Sequence, residues 1–330
     1  MKRLQAMIKR SHKEQEVLIL LIMIAFIIIT SLISGVGFTL ERFFDLLKNS
    51  SAYMIYAVGV LMVMLSGGVD VSFSAIAATA AYVAIYLQTF AGWGDSPVQA
   101  FLIASVVGAL LGCFNSLLVS LMNLPSLIVT LATSNIIFGA LLELGPTIQL
   151  AKMPKWVLPL STARVFELTN SAGKTYGLSV LPVLSLIVMG LFAIFLKYTS
   201  IGRNIYAVGS NRESARRAGV SIVKTNFVIY CLAGMLAGFA SLFNVTMVAI
   251  VQPYNIQAIT MDVIAGVVLG GASLSGGKGS VTGCLLGVVF LYLIKTSLIQ
   301  LGIPSTWDSV IVGGVLIVSI MITMLRARSK

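Results

Sequence analysis

Three stretches of this chain carry residues whose types and spacing could do chemistry. The first runs Ser210-Asn211-Arg212-Glu213-Ser214-Ala215-Arg216-Arg217-Ala218-Gly219. Its arginines are fixed positive charges with forked donors. Ser210 and Glu213 stand at capping-box spacing, so a short helix is expected to begin there. Gly219 is placed as its left-handed stop. A helix of about two turns is too short to hold itself in water, so it must pack against something. Ser214, Ala215 and Ala218 permit close approach. Two chemistries fit: arginines resting on anionic lipid, or a helix docked in the groove of a soluble protein.

The second and third stretches are glycine breaks that resemble each other. Residues 66–72 read Ser-Gly-Gly-Val-Asp-Val-Ser, and residues 269–280 read Leu-Gly-Gly-Ala-Ser-Leu-Ser-Gly-Gly-Lys-Gly-Ser. Both follow Gly-Gly-x-[Asp/Ser]-[Val/Leu]-Ser after an apolar run, a weak internal repeat. The glycine pairs Gly67-Gly68 and Gly270-Gly271 weaken a helix and let the backbone leave it. Asp70 and Ser273 are then expected at new helix N-termini, where a short polar side chain caps free N–H groups. The other reading makes Asp70 a carboxylate lining a transport path, together with Ser72 and Ser275.

Catalysis finds no support. Gly277-Lys278 fails as a phosphate loop, because Ala272 and Gly279 stand where that motif needs Gly and Ser or Thr. The single histidine, His12, lies in a charged tail, and Cys113, Cys231 and Cys284 sit far apart in apolar runs, as packing residues do. No metal site, cofactor or nucleophile–base pair can be assembled from these residues.

The elements that position the three stretches follow from composition. Of 330 residues, 58% are apolar and only 10% charged, and mean hydropathy is +1.00. A soluble domain carries about 25% charged residues, so a soluble enzyme and a disordered chain are excluded. The net charge of +11 is no nucleic-acid footprint, since no Lys or Arg falls between Lys48 and Lys152 or between Lys224 and Lys278. The fold class expected is an all-α polytopic membrane protein. A span needs about 20 apolar residues. Ten candidates meet that window: 17–36, 50–66, 71–90, 98–120, 125–144, 179–197, 225–250, 257–274, 279–299 and 307–325. The first has no cleavage signature after it.

Ten spans put both termini on one side. That side carries fifteen of the 22 basic residues: five in the first tail, six from Lys197 to Lys224, Lys278, and three at the end. The positive-inside rule makes it cytoplasmic. The organisation is a tail over 1–16, one membrane domain over 17–325 with an external loop at 145–178 and a cytoplasmic loop at 198–224, and a tail over 326–330. The external loop reads either as a solvated connector or as a docking surface for an outside partner.

The order Ala207-Val208-Gly209-x-Asn211-x-x-x-Ala215-Arg216-x-x-Gly219 resembles the coupling loop of sugar-type ABC importer permeases, the ribose, xylose, arabinose and galactose group. Both glycine breaks resemble motifs of that family, as does the stretch Asn115 through Pro125, Thr130 and Gly139. In the first break Phe73 and Ser74 follow where the commoner family form continues with Gly. The resemblance covers about residues 59 to 283.

It implies a bacterial inner-membrane permease subunit for a small neutral carbohydrate, working by alternating access. Partners implied are an ATP-binding subunit with two nucleotide sites, a second permease copy or sister permease, and an extracytoplasmic solute-binding protein. Ser210 to Gly219 would be the ATPase-coupling helix. Hydrogen-bonding groups for a polyol path are Ser66, Ser72, Thr79, Asn115, Ser116, Thr130, Thr133, Asn135 and Asn244, although tight helix packing explains each equally well. An ion- or proton-coupled secondary transporter is the competing reading. It would need carboxylates at depth, and Asp70, Glu143, Asp262 and Asp308 all read near span ends.

Overall fold

A computed structural model describes residues 2–122, 124–145, 147–169, 173–314, 317 and 321. Residues 326–330 lie outside them, as does part of the span expected at 307–325.

Seven described helices are long and apolar enough to cross a membrane. They are α1 (Lys2–Ser34, apolar from Glu16), α2 (Leu40–Leu65), α4 (Pro97–Leu121), α5 (Ser126–Leu144), α7 (Val180–Tyr198), α10 (Ile222–Val248) and α13 (Val281–Gln300). Two expected spans are shorter. The third is α3 (Phe73–Thr89), and the eighth is broken into α11 (Pro253–Ala258) and α12 (Thr260–Leu269). At 1.5 Å per residue, α12 reaches about 15 Å, half a hydrocarbon core. Pro253 starts α11 at its first turn, where a missing N–H costs nothing.

The centre is α2, buried almost continuously from Ser50 to Leu65 and packed against α10, α13 and α7. Two antiparallel helix pairs are drawn together by facing glycines. A methyl group on Gly108 would fall 2.1 Å from the carbonyl oxygen of Gly234, and one on Gly238 would fall 2.0 Å from that of Ala104. Thus Gly108 and Gly112 of α4 face Gly234 and Gly238 of α10. The same device joins α12 to α13, where Gly266 and Gly270 face Gly283 and Gly287. Lipid tails give helices no hydrophobic reason to associate, so backbone-to-backbone contact of this kind supplies the packing.

Helix α1 is peripheral and fastened to α13 at three heights. Glu16 accepts from Ser280 Oγ at 2.7 Å and from Thr282, the Phe26 and Phe290 rings meet edge to face, and Gln300 donates to Ser34 Oγ at 2.8 Å.

The long loop at 145–178 has structure that its sequence does not announce. It holds α6 (Val157–Thr162) and an antiparallel hairpin of β1 (Arg164–Thr169) and β2 (Thr175–Ser179). Lys48 donates to Ser161 O at 2.9 Å, Lys174 pairs with Glu41 at 2.6 Å, and Trp156 donates to Gln88 at 2.8 Å. The loop is therefore tied down on α2 and α3.

Candidate functional site

The arginine-bearing segment forms two helices, not one. Thr199 caps α8 (Ser200–Ser210) by accepting from Gly202 N at 3.0 Å. The second, α9, spans Arg212–Arg217. The expected start at Ser210 is corrected: its hydroxyl donates back to Tyr206 O at 2.8 Å, ending α8, and Asn211 accepts from Ser214 N at 2.8 Å as the true cap of α9. Glu213 turns to Arg217 at 3.3 Å and makes no capping-box return. Gly219 stops the helix as expected, with φ +84° and the paired bonds Gly219 N to Arg216 O and Val220 N to Ala215 O. Ala215 is buried beneath α9, while Arg212 and Arg216 are exposed and have no partner among the described residues.

The end of α8 is wedged between the two glycine breaks. Gly277 N donates to Leu65 O at 2.9 Å, joining the breaks directly. Gly209 fits against that joint: a methyl group there would lie 1.8 Å from Leu65 O and 2.7 Å from Gly277 N. One on Gly276 would meet Gly209 O and the Gly67 backbone at 2.8 Å. Gly67 and Gly276 also hold φ near +87° and +86°, which side chains rarely adopt. Tyr206 donates to Gly279 O at 3.0 Å, and burial pushes its hydroxyl above the usual tyrosine range, so it stays a donor. Nothing in the spacing of these segments, some 70 to 140 residues apart, reveals that Tyr206 and Gly209 are shared between them.

Inside the first break, several expected residues do meet. Asp70 is 2% exposed, and its Oδ1 accepts from Ser72 N at 2.7 Å and Ser72 Oγ at 2.6 Å. Asp70 thus braces the residue before α3, while the cap position itself falls to Ser72, whose side chain makes no cap bond. Asn115 Nδ2 donates to Ser72 Oγ at 2.7 Å. Thr130 accepts from Val71 N at 3.3 Å and donates to Val69 O at 3.2 Å. The Asn115 Oδ1, Ser116 and Ser120 oxygens are buried with no partner among the described residues.

Other residues stand apart. Asn135 is exposed on α5 and Asn244 half-buried on α10, neither hydrogen-bonded to this cluster. Ser66 and Thr133 bond back to their own helix carbonyls. Thr79 lines a cavity of about 750 Å³ beside Tyr82, Tyr86 and Phe114. Ser273 does not start a helix. It accepts from Ser275 N at 3.2 Å within its own loop, while Ser280 caps α13 by accepting from Gly283 N at 3.0 Å. Three glycines of positive φ, Gly276, Gly277 and Gly279, carry the turn past Gly270 and Gly271 to that later start.

Of the carboxylates an ion path would need, Asp308 has one oxygen buried with no partner among the described residues, and the others are engaged or exposed. Asp262 pairs with Lys295 at 2.5 Å, both under one-fifth exposed, and Glu143 is exposed. Among the described residues no His, Cys, Asp and Glu cluster could hold a metal ion.

Residues 42–320 match the family described as branched-chain amino acid transport system / permease component. The chain is 33% identical to the autoinducer 2 import system permease protein LsrC of Enterobacter sp. (strain 638), over 82% of this chain and 75% of that one. It is 29% identical to the LsrC of Salmonella choleraesuis (strain SC-B67), over 94% and 86%. The corresponding protein of Yersinia pseudotuberculosis serotype I is also 29% identical, over 94% and 85%. No solved structure matches the chain. An importer built on such a subunit has an ATP-binding subunit and a solute-binding protein beside it. Matched over most of its length, the chain belongs to this permease-component family of ABC importers, as a multi-pass transport subunit of the inner membrane whose ATP is hydrolysed on another chain.

Proposed function

We propose that the chain carries a small neutral carbohydrate or polyol by alternating access, driven through α9 by the ATP-binding subunit. The observation that carries this reading is the three-way glycine joint. Its α8 is joined to α9 through the single residue Asn211 and is held between both breaks through Gly209, Leu65 and Gly277. A push on α9 from a nucleotide-driven partner would therefore reach α2–α3 and α12–α13 together. Segments packed backbone to backbone have few intermediate positions, so they switch between discrete arrangements. In this reading Arg212 and Arg216 face the cytoplasm and grip the partner, with α9 seated through Ala215.

A neutral solute is supported by what lines the interior. No Lys or Arg occurs from residue 49 to 151, and Asp70 is engaged by Ser72, so no paired charges await a zwitterion among α3, α4 and α5. Ser72, Asn115 and Thr130 offer hydroxyl and amide groups instead. The relatives named for autoinducer 2 import make that signal the first solute to try, followed by ribose and xylose. A second permease copy or a sister chain is placed in this reading against the apolar cavity along α3, α4 and α5.

The test is uptake into vesicles holding the permease with and without its ATP-binding subunit. ATP-dependent uptake only in the complete assembly is expected. Uptake driven by a proton gradient in the permease alone would overturn the reading.

A further inference from the structure

A second cavity, of about 280 Å³, lies at the arginine-bearing end of the protein. Its walls come from the first break (Ser66), the α4–α5 turn (Ser126), α8 (Val208), the first residue of α9 (Arg212), and α10 (Asn226 and Tyr230). It lies just below the roughly 300–1,000 Å³ of ligand pockets for drug-sized molecules, room for a small solute. Asn226 is only 7% exposed, and its amide has no partner among the described residues. Its polar atoms stay open to the cavity, so an occupant that hydrogen-bonds the amide replaces water there, for a net gain of about 0.5–1.5 kcal/mol. Tyr230 is 2% exposed and lines the cavity beside Ser126, whose hydroxyl accepts from Val69 N at 3.1 Å. The deep groups are all uncharged. Among the described residues the only charged one in the lining is Arg212, exposed at the rim, with donors and no acceptor. None of the described lining residues is a carboxylate, and Asp70 is turned towards Ser72.

We infer that this cavity is an inner-face binding site for the released solute, a small neutral polyhydroxyl compound, and that its occupancy restrains α9 and slows the ATP cycle. The inference rests on the proposed orientation, with α9 in the cytoplasm. Hydroxyls of the solute would satisfy Asn226 and Tyr230, and its C–H faces would meet Val208 and the neighbouring aliphatic side chains. One ligand would then touch the first break and the root of α9 at once. Any displacement of α9 opens the cavity, so the solute binds the observed arrangement better than the displaced one. That differential affinity is what lets a ligand shift an equilibrium. Solute accumulated inside would thereby throttle its own entry.

The complete importer, reconstituted with its ATP-binding subunit, tests this in vesicles loaded with ATP. The lumen also holds unlabelled autoinducer 2, ribose or xylose in turn, inorganic phosphate, or nothing. Inner solute of the kind the vesicles import should slow ATP hydrolysis in a saturable way, and phosphate should not. In Asn226→Ala the half-maximal inner concentration should rise roughly fivefold, the value of one hydrogen bond, with Tyr230→Phe shifting it in the same direction. Each variant is compared with itself, loaded against empty, so altered expression does not enter.

ATP-driven uptake that ignores inner solute would overturn this inference and leave the proposed function standing. So would suppression that is identical in wild type, Asn226→Ala and Tyr230→Phe, or suppression by phosphate in place of the solute. Absence of ATP-driven uptake of every solute tried overturns both.

Discussion

Gly209 is pressed so closely on Leu65 that a single added methyl group would stand 1.8 Å from the Leu65 carbonyl oxygen. That oxygen already accepts from Gly277 N at 2.9 Å, so it cannot yield without opening the contact between the two breaks. Gly209→Ala is therefore expected to push α8 out of the joint. Overpacking of this kind costs about 1–3 kcal/mol, enough to lower uptake roughly tenfold. The measurement is uptake per molecule inserted in the membrane, alongside ATP hydrolysis by the complex. Hydrolysis that persists while uptake falls identifies the joint as the transmitting element. Equal loss of insertion would make Gly209 a folding residue only.

Arg216→Glu addresses the proposed grip on the ATP-binding subunit. Arg216 is exposed and unpaired among the described residues, whereas Arg217 is already engaged with Glu213 at 3.3 Å. Reversing a rim charge mainly slows association, and salt screens the effect. Capture of the subunit by the variant should weaken at low ionic strength and recover in part at high salt. Arg217→Ala should disturb capture less. Unchanged capture by Arg216→Glu would sink the docking role of α9.

How much of this was legible in the sequence depends on how local each signal was. The stop at Gly219 needs one residue of left-handed backbone, and it appears where the glycine predicts. The cap at Ser210 fails because Ser210 had a rival partner, the Tyr206 carbonyl one turn back in a helix the reading did not include. The hairpin at 164–179 escaped notice because Arg164–Thr169 is exposed along its whole length and shows no alternation of buried and open positions. The glycine pairs at 108/112 and 234/238 look like scattered small residues until their helices are seen face to face. Asn226 was invisible for the opposite reason. Its type and neighbours are unremarkable, and only an unfilled space beside it gives it meaning.

The α4–α10 crossing gives a prediction about assembly of the bundle. Gly234→Val would drive side-chain carbons into the Gly108 carbonyl, already 2.2 Å from a notional methyl group. The helices must separate, and the contacts of Gly112 and Gly238 are lost with them. Thermal stability of the purified chain in detergent should fall sharply, whereas Gly139→Ala should hold or raise it, because Ala favours a helix interior over Gly by about 1 kcal/mol. Nothing lies within 4 Å of a methyl group added to Gly139, so that substitution controls for helix propensity alone. Similar melting of the two variants would remove the close crossing as a source of stability.

Asp262 and Lys295 supply the last prediction, because two readings of them differ in sign. As an ion path, Asp262 would need to gain and lose protons, and Asp262→Asn would abolish transport while leaving the fold untouched. As a structural pair, it holds α12 to α13 at 2.5 Å with both groups under one-fifth exposed. Breaking such a pair strands a buried charge and costs about 3–5 kcal/mol, whereas replacing both partners with apolar residues of like volume is close to neutral. Lys295→Ala should therefore melt well below the wild type, and Asp262→Leu combined with Lys295→Met should recover most of the loss and retain ATP-driven uptake. A stable but transport-dead double variant would restore Asp262 to the path and reopen ion coupling.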